Sequence, residues 1–161
     1  MSLRLVPPIH RATHRIGLYL SDASDDGLSQ GEAHILALLG SAAPATIADL
    51  HRGLAHKRST LTSILDRLSD RGLITRTVGT EDRRTFLIAP TSKGRVLAAH
   101  VRRHLADLER AVARRVTAAE VAAFLKVVAA FEEEAHARML RSAVADRETR
   151  RRRKSVRARG R

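Results

Sequence analysis

The sequence predicts a mainly helical fold with one small β-hairpin, and two neighbouring stretches in the middle of the chain carry this prediction. In the first stretch, aliphatic residues recur at the period of an α-helix, about 3.6 residues, and form one apolar face. The residues on that face are Leu61, Ile64, Leu65 and Leu68. In the second stretch, two β-type runs, 73–78 and 85–89, are joined by the segment GTEDRR, which is typical of a hairpin with a basic tip. A helix followed by such a hairpin is the order of a winged helix-turn-helix.

The other face of the same helix carries hydroxyl and guanidinium groups, which suit the major groove of DNA. The candidates for contact with bases or phosphates on this face are Arg58, Ser59, Thr62, Ser63 and Arg67. Lys57 and Thr60 lie at the start of the helix, where backbone N–H groups and positive charge favour a phosphate. Asp66 also lies outward, and we expect it to pair with a nearby arginine. Gly72 follows at the position where a left-handed residue commonly ends a helix.

Capping boxes place the starts of three further helices, because a Ser or Thr and an acidic residue three positions later can satisfy two backbone N–H groups. The pairs are Ser29 with Glu32, Thr46 with Asp49, and Thr117 with Glu120. The first box opens a helix that is expected to end at Gly40. The second opens a short helix after Pro44, and Gly53 is expected to make the turn into the helix that follows. The two helices around this turn form the predicted helix-turn-helix.

Helices with apolar stripes are also predicted outside this core, one before it and two after it. The first follows Pro7 and Pro8, and Thr91 is expected to cap the second. The stripe of the first helix comprises Ile9, Ile16 and Leu20. The stripe of the second comprises Val96, Leu97, Val101, Leu105, Leu108, Val112 and Val116, and that of the third comprises Val121, Phe124, Leu125, Val128, Phe131, Ala135 and Met139. A winged helix folds without such additions, so these helices are candidates for pairing with a second subunit, and ordinary core packing is the alternative.

The stretch STLTSILDRLSDRGLITRTVGTEDRRTFLIAPTSKG resembles the core of the MarR family of bacterial transcription regulators. Its segments STLTSILDRL, RGLI, DRR and TSKG follow one another in the order and spacing of the family. The resemblance implies a single domain over residues 1–146, with a winged helix-turn-helix core over 28–91 and dimerisation helices over 1–27 and 92–145. It also implies that Arg84 enters the minor groove from the wing, with Asp82 bracing the wing and Arg83 beside it.

Composition favours a polyanionic partner. The net charge is +13, and residues 147–161 hold nine basic residues and one acidic residue, so this tail carries eight of the net positive charges. The tail lacks an aliphatic pattern and is expected to be disordered, either as a solubilising extension or as an arm that binds phosphates. Aromatic residues make up only 2% of the chain, which argues against nucleic-acid binding by stacking of bases on aromatic rings.

Several classes of function are disfavoured by what the sequence lacks. The chain has no cysteine, so disulfides and thiol-based sensing are excluded. No apolar run approaches the roughly 18 residues of a membrane span, and the first residues lack the apolar core of a signal peptide. A cytoplasmic protein without a membrane partner is therefore expected. The His-x-x-x-His spacings lack the glutamate of H-E-x-x-H hydrolases, and no catalytic residues are assigned.

The histidines define two hypotheses for an effector site. His10 and His14, and likewise His100 and His104, are four residues apart and could each chelate one metal from a helix face. His34 lies on a helix between these pairs. Zinc-sensing members of the MarR family use histidines in about these three helices, which makes a zinc-responsive regulator one hypothesis. An anionic or aromatic small molecule is the commoner effector in the family, and its pocket would include Arg11, His14, Arg15 and His34. The third possibility is that no effector exists.

The leading hypothesis for function is a homodimeric, sequence-specific repressor that binds a pseudo-palindromic operator in double-stranded DNA and is released by a small-molecule effector. No cofactor is required for this activity. A two-fold dimer would bring two recognition helices into successive major grooves. An alternative from a different class is a non-specific architectural DNA-binding protein that depends on residues 147–161.

Overall fold

The structure is a computed structural model that describes residues 3–22, 27–54, 57–79 and 85–159 of the 161-residue chain. The described residues form six helices and three short strands. The helices are α1 Val6–Asp22, α2 Gln30–Ala42, α3 Ile47–Leu54, α4 Arg58–Asp70, α5 Ser92–Ala113 and α6 Ala118–Arg159; the strands are β1 Ala45–Thr46, β2 Ile74–Val78 and β3 Phe86–Pro90. This architecture confirms the predicted mainly helical fold with a small wing. The chain divides into two compact units, Met1–Arg110 and Ala111–Arg161.

The core of the first unit is aliphatic, as the scarcity of aromatic residues predicts. Helix α4 contributes its whole predicted stripe, and each of these four side chains is at most 5% exposed. Helices α1, α2, α3 and α5, the strands and the connecting residues Leu28 and Leu73 supply the remaining core. The largest fully buried side chains are Ile35, Leu36, Leu39, Leu50, Leu61, Leu65, Leu68, Leu73 and Ile88. The packing therefore fixes which face of α4 lies outward.

The wing is a three-stranded antiparallel sheet in the order β1-β3-β2. Strands β2 and β3 pair from Ile74 opposite Pro90 to Val78 opposite Phe86, which confirms the predicted hairpin to within one residue at its ends. Strand β1 pairs with β3 through Ala45 opposite Ile88. This strand was not predicted, because two residues are too few to show an alternating pattern. The hairpin tip, with Asp82, Arg83 and Arg84, lies outside the described residues.

All three predicted capping boxes are present. In the first, the Ser29 N–H donates to Glu32 Oε2 at 2.8 Å, and the Glu32 N–H donates to Ser29 Oγ at 3.4 Å. The same reciprocal bonds join Thr46 with Asp49 and Thr117 with Glu120. Helix α2 continues past the predicted Gly40 to Ala42. It stops there because the residue before Pro44 is restricted to an extended conformation.

The end of α4 and the start of α5 dock on each other. Gly72 has a φ of +66°, and the N–H of Leu73 donates to the Leu68 carbonyl, so α4 ends in a Schellman motif. The Thr91 hydroxyl donates to the Gly72 carbonyl at 2.8 Å and accepts from the Gly94 N–H at 3.0 Å, which confirms Thr91 as the cap of α5. A Cβ at Gly94 would lie 1.9 Å from the Leu73 carbonyl oxygen. Only glycine allows this close approach.

The prediction that Gly53 makes the turn into the next helix, α4, is wrong. Gly53 lies inside α3, which continues to Leu54. A Cβ at this position would lie 3.2 Å from Cδ2 of Leu38. The glycine therefore allows α3 to pack closely against α2, and it does not reverse the chain.

The expectation of a disordered basic tail also differs from the structure, in which α6 continues as a helix to Arg159. Residues 118–159 contain neither glycine nor proline. Alanine and arginine, which are frequent in this segment, are among the residues that most favour helix formation. Helix propensity therefore outweighs the lack of an aliphatic pattern.

The second unit contains the end of α5 and the whole of α6. On α6 the predicted apolar stripe is largely exposed, since the exposed fractions reach 57% at Phe124, 58% at Leu125 and 65% at Met139. On α5 the stripe is buried in the first unit at Leu97 but is 49% exposed at Val112. Within the described ranges, no helix combines the length and apolarity needed to cross a membrane.

Candidate nucleic-acid interface

The outer face of α4 presents a group of polar and basic side chains, in agreement with the sequence pattern. Arg58, Ser59, Thr60, Thr62 and Ser63 are all exposed. The N-cap residue is Lys57, whose side chain makes no capping hydrogen bond to the first turn. The packing of α4 thus brings the predicted contact residues together beside an uncapped, basic helix start. Their contact with DNA stays a prediction.

Arg67 lies on the edge of this face and is held toward the start of α2. Its Nε donates to Glu32 Oε1 at 3.3 Å, and its Nη1 donates to Ser63 Oγ at 2.9 Å. The Glu32 side chain is only 4% exposed, and its Oε2 lies 3.6 Å from Nη1 of Arg71. One buried carboxylate at the start of α2 therefore pairs with two arginines at the end of α4.

The surroundings of Glu32 keep it ionised. Burial by itself would raise the pKa of Glu32, because a buried carboxylate loses hydration. The hydrogen bonds from Ser29 and Arg67 and the charge of Arg71 outweigh burial, and the pKa of Glu32 lies below its ordinary value of 4.5. Glu32 was predicted only as a capping residue, because its pairing with Arg67 spans 35 positions and leaves no local pattern.

Asp66 pairs with an arginine, as predicted. Nη2 of Arg76 lies 2.6 Å from Oδ1 of Asp66. Arg76 belongs to β2, so this ion pair joins α4 to the wing. Both side chains are partly exposed. The pair removes the repulsion that a lone carboxylate on this face would exert on a DNA phosphate.

A shallow groove of about 590 Å³ lies between the start of α2 and the outer face of α4. Its lining includes residues 29–31 from the first side and Ser59, Thr60, Ser63 and Arg67 from the second. These four α4 residues were predicted to contact DNA. The predicted effector residues do not line this groove: Arg11, His14 and Arg15 are exposed on α1, and His34 is half-buried on α2. A role for them in binding an effector stays a prediction.

The two predicted histidine pairs differ in their surroundings. Nε2 of His100 and Nε2 of His104 lie 2.9 Å apart, and the hydroxyl of Tyr19 lies 3.4 Å from Nδ1 of His104. His10 and His14 are exposed on α1. In the part of the chain that the structure describes, no three His, Cys, Asp or Glu residues are grouped so that they could hold a metal. The five predicted zinc ligands are therefore not brought together there.

Comparison with known proteins agrees with this architecture. Residues 28–86, from the residue before Ser29 to the start of β3, match the sequence model of the MarR family. No curated protein is significantly similar to the chain.

Similar solved structures include regulators in complex with DNA. A cysteine-to-serine mutant of MarR from E. coli, complexed with operator DNA, is 25% identical, with a TM-score of 0.65 over 77% of this chain and 90% of that chain. The S. aureus MepR–DNA complex is 16% identical, with a TM-score of 0.72 over 83% and 99%. Bordetella bronchiseptica BpsR, whose DNA binding is regulated by 6-hydroxynicotinic acid, is 20% identical, with a TM-score of 0.66 over 80% and 92%. Residues 28–86 thus match the MarR family of transcription regulators, and the winged-helix fold of the chain is similar to that of these solved regulators.

Proposed function

We propose that this chain is a sequence-specific regulator of transcription that binds a pseudo-palindromic operator in double-stranded DNA as a homodimer. The observation that carries the proposal is the division of α4 into two faces. Its aliphatic face is buried to 5% exposure or less, and its outer face presents hydroxyl and basic groups. Hydroxyl and guanidinium groups are the chemistry that reads base edges in the major groove. Complexes of E. coli MarR and S. aureus MepR with DNA support the same use of the fold.

Phosphate contacts would come from the start of α4 and from the wing. Lys57, the N-cap of α4, makes no side-chain cap to the first-turn N–H groups, and Arg58 follows it at the helix start. Such a helix start binds a phosphate through its N–H groups and its partial positive charge. Arg84 on the wing is the proposed minor-groove contact, with Arg83 beside it, and both assignments rest on the family resemblance.

A second copy of the chain is the proposed partner for the exposed apolar side chains of α5 and α6. Val112, Phe124, Leu125 and Met139 are each about half exposed or more, and a stripe of this kind is costly to leave in water. A two-fold dimer would also present two copies of α4 to the two halves of a palindrome.

Release by a small aromatic or anionic effector is the proposed mode of control, and the regulation of BpsR by 6-hydroxynicotinic acid supports it. Arg11, His14, Arg15 and His34 are the proposed pocket residues. Zinc is the alternative effector, and the close approach of His100 and His104 is the observation that favours it. A repressor of this kind acts on chromosomal DNA, so the proposed location is the cytoplasm, and the activity needs neither a catalytic residue nor a permanent cofactor.

Fluorescence anisotropy with the DNA upstream of its own gene and a scrambled duplex tests this function. The titrations are made at several salt concentrations, with the full chain and with a chain that lacks residues 147–161. A preference of about a thousandfold for one palindrome, retained in the shortened chain, is the expected result. Equal affinity for both duplexes, lost with the tail, would instead favour a non-specific architectural protein.

A further inference from the structure

Thr62 and Ser63 are neighbouring hydroxyls on the outer face of α4, but their hydrogen bonds differ. The Thr62 hydroxyl donates to the Arg58 carbonyl at 3.0 Å, so its hydrogen is used and only its lone pairs face outward. The Ser63 oxygen accepts from Arg67 Nη1 at 2.9 Å. A guanidinium can only donate, so the Ser63 hydrogen remains available. Thr62 is therefore an acceptor toward DNA, and Ser63 is a donor.

Glu32 holds the arginine that creates this difference. One carboxylate oxygen accepts the Ser29 N–H at 2.8 Å, which ties Glu32 to the start of α2. The other oxygen accepts from Arg67 Nε at 3.3 Å. The carboxylate is buried, and each of its two oxygens accepts a hydrogen bond, so its position is fixed. Arg67 is thereby directed along the helix surface toward Ser63, and its charge is paired before any DNA binds.

We propose that Glu32 is a positioning residue for base recognition, which acts through Arg67 to make Ser63 a hydrogen-bond donor beside the acceptor Thr62. The inference rests on the proposed DNA-binding function. Ser63 would select a base edge with an acceptor, such as N7 of a purine, O6 of guanine or O4 of thymine. Thr62 would select the amino group of adenine or cytosine. The pairing of Arg67 with Glu32 also withholds one cation from sequence-independent contact with phosphates.

The substitution Glu32→Gln separates positioning from folding. Glutamine can still complete a capping box with Ser29, but it lacks the charge that holds Arg67. Released from Glu32, Arg67 can bind phosphates, so affinity for a scrambled duplex rises while the oriented Ser63 donor is lost. We expect the ratio of operator affinity to scrambled-duplex affinity to fall about tenfold. The matched control is Glu120→Gln, which changes an exposed glutamate in the capping box of α6 and should leave both affinities unchanged.

Ser63→Ala provides a second variant that does not disturb the core, because Ser63 is exposed. It should lower the affinity ratio by a similar factor, and the double variant with Glu32→Gln should lose little more, since both changes act on one contact. An operator with 7-deazapurines substituted one position at a time identifies the acceptor. Removal of one N7 in each half-site should weaken binding by the wild type about tenfold and binding by Ser63→Ala hardly at all. If no N7 has this effect, base analogues that lack O6 of guanine or O4 of thymine are tested in the same way.

Several results would overturn the inference. A Glu32→Gln protein that binds both duplexes more weakly by the same factor would mean that Glu32 acts only on the fold, and additive losses in the double variant would mean that Glu32 and Ser63 act independently. Base analogues that weaken the wild type and Ser63→Ala equally at every position would exclude Ser63 as a donor. A wild type without preference for any operator would refute the proposed function itself, whereas a preference that persists unchanged in both variants would refute the roles of Glu32 and Ser63 and leave the proposed function standing.

Discussion

Helices α4 and α6 both carry an apolar stripe at helical spacing, but only α4 has this stripe buried by the chain. Leu61 and Leu65 on α4 are at most 1% exposed, whereas Phe124 and Leu125 on α6 are 57% and 58% exposed. A period of about 3.6 residues identifies an apolar face in both helices but does not specify what covers it. The difference separates a helix whose orientation is fixed by its own core from one whose apolar face is available to a partner.

The capping boxes at α2 and α6 differ in a parallel way. Ser29 with Glu32 and Thr117 with Glu120 make the same reciprocal hydrogen bonds. Glu32 is buried and is shared with Arg67 of α4, whereas Glu120 is exposed. Both boxes therefore start a helix, and the box at α2 also fixes a tertiary contact with α4.

The largest expected effect comes from truncation of the two apolar stripes. Leu65→Ala should lower the free energy of unfolding by about 2–5 kcal/mol at every protein concentration, because it leaves a cavity in the core. Leu125→Ala should cost less, and its cost should depend on protein concentration because it weakens association of two chains. Urea unfolding at two protein concentrations a hundredfold apart measures both. An equal, concentration-independent loss in the two variants would mean that α6 is covered by its own chain.

The docking of the α4 exit on α5 predicts the next largest effect. Gly94→Ala should lower the free energy of unfolding by about 1–3 kcal/mol, because the new Cβ would overlap the Leu73 carbonyl and the backbone would have to shift. Gly53→Ala is the control within another helix. Its Cβ would meet only the end of the Leu38 side chain, at 3.2 Å, which can move. Thermal unfolding should show Gly53→Ala to be neutral or slightly stabilising, since alanine favours helix, and equal losses would argue against the docking.

A smaller effect should appear as a pH dependence of stability. The pKa of Glu32 is lowered in the folded chain from an ordinary value of 4.5, so its ionised form stabilises the fold. This contribution is complete above about pH 4.5 and is lost as the pH falls through the lowered pKa. The difference in unfolding free energy between wild type and Glu32→Gln should therefore shrink as the pH falls from 6 to 3. A difference that is constant over this range would mean that the charge of Glu32 does not contribute to stability.

Signals within about four residues were sufficient to predict the helix caps, the glycine exit from α4 and the apolar face of α4. Longer-range partners were predicted in kind but not in identity: Asp66 was expected to pair with an arginine, and the partner proved to be Arg76 on the wing. The pairing of Glu32 with Arg67 was not predicted, because both residues have sufficient local interpretations, as a cap and as a DNA contact. Gly53 was assigned to a turn because glycine is common in turns. Glycine also occurs where helices pack closely, and the local sequence does not distinguish the two cases.

The smallest expected effect concerns the surface ion pairs of the two helices. Asp66 with Arg76 joins α4 to β2, whereas Glu134 with Arg138 joins two turns of α6. Partly exposed pairs contribute about 0.2–1 kcal/mol, and pairs within one helix contribute at the lower end of that range. Asp66→Asn should therefore cost slightly more stability than Glu134→Gln, and its cost should decrease at high salt.

Asp66→Asn should also strengthen binding to a scrambled duplex, because it removes a negative charge from the proposed DNA-facing side and releases Arg76. Glu134→Gln should change this binding less. Equal changes in DNA affinity for the two variants would indicate a general charge effect and would argue against α4 as the surface that lies on DNA.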